Sequence, residues 1–116
     1  MRDADTPLEV LRARLAEFNT AREWGRFHNP KDLATALTVE AGELLELFLW
    51  RRPELADLPD RQRLEHECAD VLICLVNLAS ATGIDLMAAA EQKLALNAAK
   101  YPVEKARGNA KKYDDL

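Results

Sequence analysis

Two stretches of this chain are apolar at helical spacing, and each carries a pair of carboxylates three residues apart, Glu40-x-x-Glu43 and Glu67-x-x-Asp70. The first stretch, residues 30–50 (PKDLATALTVEAGELLELFLW), sets Leu33, Leu37, Ala41, Leu44, Leu45 and Phe48 at helical intervals. At 100° per residue Glu40 falls inside the apolar arc running from Leu47 to Leu37, and Glu43 lies at its edge. The second stretch, residues 64–81 (LEHECADVLICLVNLASA), is apolar nearly all round, the pattern of a buried helix. Glu67 and Asp70 are therefore expected to point into protein. A fold for this chain must pack these two helices and still account for four acids on their apolar faces.

Local punctuation divides the chain into four helices. Thr6-Pro7 supplies an N-cap and a first-turn proline for a helix over residues 7–24. Asn29-Pro30 opens a second helix that runs to Arg52-Pro53, and a polar link with Pro53 and Pro59 follows. A third helix opens near Asp60 and closes at Gly83; Asp85 caps a fourth, which Tyr101-Pro102 stops after Lys100. No segment alternates as a strand does, no internal repeat is present, and nothing resembles a glycine-rich phosphate loop. The expectation is an all-α fold, a four-helix-bundle-type subunit. It has a flexible N-terminus (1–6), one domain (7–102) and a flexible basic C-terminal tail (103–116) in which Lys105, Arg107, Lys111 and Lys112 cluster.

At 116 residues this is one domain, and with 48% hydrophobic residues and a helix apolar on every side, a second copy is expected to cover part of its surface. The net charge of −4 argues against a nucleic-acid polymer as partner. The longest apolar run is too short and too interrupted to span a membrane, and the first ten residues have neither a basic region nor an apolar core for export, so a cytoplasmic location is expected. Cys68 and Cys74 lie six residues apart on different faces of one helix, too badly placed to bridge, and are read as small core residues.

An isolated ionised carboxylate in a dry interior costs many kcal/mol, so it protonates, pairs or binds a metal. Bases are scarce in these stretches: Lys31 and Arg63 stand near their starts, and Arg51 and Arg52 just past the first. Side chains at i and i+3 share a helix face, so two such pairs on packed antiparallel helices converge on one centre. A divalent cation is the simplest neutraliser, and oxygen-only ligands select Mg²⁺, with Mn²⁺ as substitute. The competing reading has the acids paired with bases elsewhere or reaching solvent at a bundle end. A ferritin-like di-iron centre requires Glu-x-x-His on two helices, and neither His28 nor His66 follows a glutamate by three.

The pattern Glu40-x-x-Glu43 followed by Glu67-x-x-Asp70 in an all-α chain resembles the MazG-like nucleoside triphosphate pyrophosphohydrolases. The strings EWGRFHNPKDLATALTVEAGELLELFLW and ECADVLICLVNLA, with the later NAAKYP and KKY, are similar to the dCTP pyrophosphatase branch, and the likeness runs from about Leu15 to Tyr113. It implies hydrolysis of a nucleoside triphosphate to monophosphate and pyrophosphate, with Mg²⁺ held by Glu40, Glu43, Glu67 and Asp70. Glu43 and Glu40 are then the candidates for taking the proton of the attacking water. Many relatives have a further Glu where this chain has Val39; the dCTP branch also lacks it.

The same resemblance places Trp24, His28 and Trp50 at the base. An indole stacks on any base, whereas hydrogen bonds to the Watson–Crick edge discriminate. On the fourth helix Lys93, Asn97 and Lys100 follow i, i+4, i+7 and share a face, either for phosphates or as a solvated surface. Arg107, Lys111 and Lys112 are further phosphate candidates. Phe27, Phe48 and Tyr101 are read as core or pocket wall, and Asn77 either as a sugar or base contact or as a buried hydrogen bond to its neighbours. The branch implies a homo-oligomer, a dimer or a dimer of dimers, and removal of dCTP, plain or 5-modified, from the nucleotide pool. Two alternatives stay open: a relative acting on dUTP or many triphosphates, and a helical assembly or regulatory protein without turnover.

Overall fold

The chain is described by a computed structural model covering residues 1–116, in which every regular element is helical. The longer helices are α1 (Leu8–Ala21), α2 (Pro30–Glu46), α3 (Arg61–Thr82) and α4 (Leu86–Lys100), followed by a single turn, α5 (Val103–Ala106). Short 3₁₀ turns occupy Trp24–Phe27, Pro53–Leu55 and Tyr113–Asp115. The backbone forms two compact units, Met1–Gly83 and Ile84–Leu116. No single helix is long and apolar enough to cross a membrane.

In the first unit α2 packs along α3, and α1 lies against α3. The starts of α2 and α3 follow the sequence signals, because an uncapped helix leaves its first amides without partners. The Asp32 amide donates to Asn29 Oδ1 at 2.9 Å, and the Arg63 amide to Asp60 Oδ2 at 3.1 Å. Gly83 ends α3 in the left-handed region, φ 71°, where a side chain would be strained.

Three expected boundaries are corrected. Helix α1 starts one residue later than expected, with Pro7 rather than Thr6 at the cap position and no side-chain cap; the Thr6 hydroxyl instead accepts from the Arg2 amide at 2.9 Å. It ends at Ala21, because the Arg22 and Glu23 amides turn to carbonyls three residues back and Glu23 goes left-handed, so Trp24 sits in the 3₁₀ turn. Helix α2 ends at Glu46, not at Arg52. The amides of Leu47, Phe48 and Leu49 tighten to i−3 carbonyls, and Trp50 then adopts φ 65°.

Leu33, Val76 and Ala79 are the buried apolar residues of the core. Each fully buried branched side chain contributes about 1.5–3 kcal/mol. Around them the Asn19 amide donates to Asn77 Oδ1 at 3.0 Å, tying α1 to α3, and Arg12 donates to Ser80 Oγ at 3.0 Å. Helix α3 is not buried all round: Leu72 and Leu75 are exposed, as are Val39 and Leu45 on α2, because the first unit has too few elements to cover them. For the same reason Cys68 is exposed and Cys74 only half-buried, against the expectation of two core cysteines, and Phe27 is open to solvent.

In the second unit Asp85 Oδ1 caps α4 by accepting from the Ala88 amide at 3.0 Å. Residues 103–116, expected as a flexible tail, carry α5 and a fold-back in which the Tyr113 ring meets Tyr101 edge-on, centroids 6.2 Å apart. The Lys100 ammonium stands 4.7 Å from the centre of that ring. Met87, Leu94 and Leu96 of α4 are exposed.

Candidate metal centre

Capping at Asn29 and Asp60 fixes where α2 and α3 begin, and the packing of α2 along α3 sets the direction of the acids along their seam. Carboxylate oxygens of Glu40, Glu67 and Asp70 all lie within 4.8 Å of one another. Glu40 Oε2 and Glu67 Oε2 are both buried and have no hydrogen-bond partner. Buried carboxylate oxygens left in this state are costly, which distinguishes the cluster from an ordinary acidic surface patch.

The electrostatics agree. The Glu40 carboxyl is pushed up to about 6, first by a hydrogen bond to Glu43, then by burial and by the charges of Glu43, Asp70 and Glu67. Burial, with the charges of Glu40 and Asp70, also pushes the Cys74 thiol up, so it remains a neutral neighbour. No cation from the protein reaches the orphaned oxygens. The donor set, all oxygen and compressed between two helices, suits a hard divalent ion such as Mg²⁺. Glu43, the fourth acid, is exposed and borders the cluster through Glu40.

Glu43 also lines a cavity of about 470 Å³ beside the cluster, together with Glu46, Leu47, Leu49, Trp50, Arg51, Asp57 and Arg63. Trp50 is therefore near the acids, with 89% of its surface open. Trp24 and His28 do not line this cavity. Trp24 packs edge-on against Phe18, centroids 5.5 Å apart, and His28 is half-buried after the 3₁₀ turn. Lys93, Asn97 and Lys100 belong to α4 in the second unit, with Lys93 exposed, Asn97 half-buried and Lys100 over the Tyr113 ring. Asn77 spends its side-chain carbonyl on Asn19. Arg63, which is not among the sequence-based candidates, shares one side of α3 with Glu67 and Asp70 at i, i+4, i+7, but that spacing alone does not mark it as a site residue.

The profile of the MazG-like family matches residues 35–116, a span holding all four acids. The chain is 43% identical over 114 residues to dCTP pyrophosphatase 1 of Rattus norvegicus and 40% identical over 114 residues to that of Homo sapiens. Each match covers 94% of this chain and 67% of the relative. Among solved structures, a pyrophosphatase from Archaeoglobus fulgidus DSM 4304 is similar with a TM-score of 0.77 and 37% identity, over 88% of this chain and 98% of that one. The chain belongs to the MazG-like family.

Proposed function

We propose that this protein is a nucleoside triphosphate pyrophosphohydrolase that converts dCTP and water to dCMP and pyrophosphate, with Mg²⁺ held by Glu40, Glu43, Glu67 and Asp70. The observation that carries the reading is the pair of buried, partnerless oxygens on Glu40 and Glu67 inside a cluster of converging acids. Kinship with dCTP pyrophosphatase 1 supports the nucleotide and the bond cleaved.

A divalent ion bound there offsets negative charge on phosphate oxygens and acidifies a nearby water. The protein's own groups do the rest. Glu67 and Asp70 on α3 face Glu40 on α2, so the packed helix pair would hold the ion in a fixed place, and positioning of this kind supplies most of the rate in phosphoryl-type transfer. Glu43, exposed at the cavity beside Glu40, takes the water's proton. Trp50 offers the exposed indole on which the base stacks; Trp24 and His28 lie outside the cavity that Trp50 lines, and their part in base recognition rests on the family likeness alone. Lys93, Asn97 and Lys100 bind phosphate oxygens.

The working form is a homo-oligomer. Val39, Leu45, Leu72 and Leu75 are exposed on the α2–α3 pair, apolar area that a second copy would cover.

The test is incubation with Mg²⁺ and each deoxy- and ribonucleoside triphosphate in turn, resolving monophosphate, diphosphate, pyrophosphate and phosphate. Selective release of dCMP and pyrophosphate is the expected result. Equal turnover of several bases keeps the chemistry and reduces Trp24, His28 and Trp50 to general stacking. No turnover of any triphosphate sinks the enzymatic reading in favour of a helical assembly protein.

A further inference from the structure

The cavity beside the acid cluster contains two guanidinium groups, and they are not equivalent. Arg51 is committed: its Nη1 donates to Asp57 at 2.9 Å and its Nε to the Leu47 carbonyl at 3.3 Å. Arg52 and Arg61, close in sequence, are likewise tied to Glu54 and Glu65. Arg63 has no carboxylate partner. Its backbone amide is used by the Asp60 cap, but its side chain pairs with nothing, although Glu67 stands at the i+4 position where a helical ion pair would form. Glu67 instead turns one oxygen into the buried cluster, where it too has no partner.

Arg63 is thus a free cation at the edge of an acidic site. It lies one turn from Glu67 along α3, about 6 Å of axial rise, and lines the same cavity as Glu43 and Trp50. An anion drawn to the cluster needs donors that the acids cannot provide, and a guanidinium presents parallel N–H groups suited to two oxygens of one phosphate.

We propose that Arg63 binds phosphate oxygens of the triphosphate substrate, a role additional to the α4 residues. This rests on the proposed function. In the alternative, Arg63 is a solvated charge that only moderates the field of the acids.

The test uses the full chain with Mg²⁺ and calorimetric titration of two probes, the non-hydrolysable α,β-imido analogue of dCTP and inorganic tripolyphosphate. The variants are Arg63→Gln and Arg63→Lys. Loss of a charged hydrogen bond predicts that Arg63→Gln weakens both probes about tenfold or more. Arg63→Lys falls between, since it keeps charge and loses the fork. Steady-state KM rises in parallel, and the melting temperature in EDTA is unchanged. Because tripolyphosphate has neither base nor sugar, parallel loss assigns the contact to phosphate. Unchanged affinities in Arg63→Gln, weakening of the nucleotide analogue alone, or a change in Mg²⁺ affinity that accounts for the whole effect each overturns the proposal while leaving the hydrolase reading intact. A wild-type protein that neither binds nor cleaves triphosphates overturns both.

Discussion

Replacing Glu40 by Gln removes one negative charge from the cluster while keeping the side chain's shape, and the crowding of the acids gives the sign of the result and its order of magnitude. The neighbouring acids, Glu43 first, and burial push the Glu40 carboxyl up to about 6 from an ordinary value of 4.5. A carboxyl whose pKa is raised by folding binds its proton more tightly in the folded state. The wild type therefore loses stability as pH rises from about 4.5 to 6, and the loss is complete above that window. The step from 4.5 to about 6 is worth about 2 kcal/mol. Glu40 is only half-buried, and solvent screening brings the effect to about 1 kcal/mol. For a chain of this length that is about 4 °C in melting temperature. Thermal melts of wild type and Glu40→Gln in EDTA, at one protein concentration, should coincide at pH 4 and separate by pH 7.5 with the variant higher. Saturating Mg²⁺ should reverse the order, since a site filled to a hundred times its Kd adds about 2.7 kcal/mol to the wild type. A variant that melts below the wild type at pH 7.5 in EDTA would refute the reasoning, because it would mean that the Glu40 charge is satisfied rather than repelled.

Asp70→Asn should lower turnover about a hundredfold or more with helicity unchanged by circular dichroism, and an active variant would remove Asp70 from the metal set. Trp50→Ala should raise KM for nucleotides more than for inorganic polyphosphate; equal shifts would end the stacking role. Trp50→Gly should lose the same affinity but be about 1 kcal/mol more stable than Trp50→Ala in urea denaturation, because φ 65° strains every residue with a β-carbon. Asn77→Ala should cost about 1 kcal/mol of stability through the lost Asn19 contact while kcat and KM stay unchanged, and a KM effect would return Asn77 to the substrate.

The all-helical class was legible because it rests on local chemistry. Asn29, Asp60 and Asp85 each carry a side-chain cap, and Gly83 a left-handed stop, at the positions where these residue types announce them. The approach of Glu40, Glu67 and Asp70 was legible for a related reason, i, i+3 spacing on two apolar helices, but Glu43, expected in the same set, lies outside the group that comes within 4.8 Å. What escaped was long-range or irregular. Periodicity carries α2 on to Trp50, but the chain tightens at Leu47 and turns left-handed at Trp50, a departure that no local propensity in LELFLW signals. The apolar pattern of α3 suggests burial on all sides, yet hydropathy records only that a surface should be covered, not by what, and Leu72, Leu75 and Cys68 remain exposed in the single chain. Arg63 went unread as a site residue because its significance lies in the partner it lacks, which only coordinates reveal.

The caps of α2 and α3 bear also on how this protein can change. Glu40 is eleven residues beyond Asn29, and Glu67 seven beyond Asp60, so each acid's bearing is counted off from its own cap. Inserting or deleting one residue within either interval turns the acid by 100° and slides it about 1.5 Å, enough to take it off the seam. A change in length is therefore expected to be tolerated outside these intervals, such as at the turn around Pro53–Leu55, and to disrupt the cluster within them. The two helices work as rulers, and the spacing of cap to acid is a constraint as strict as the identity of the acids.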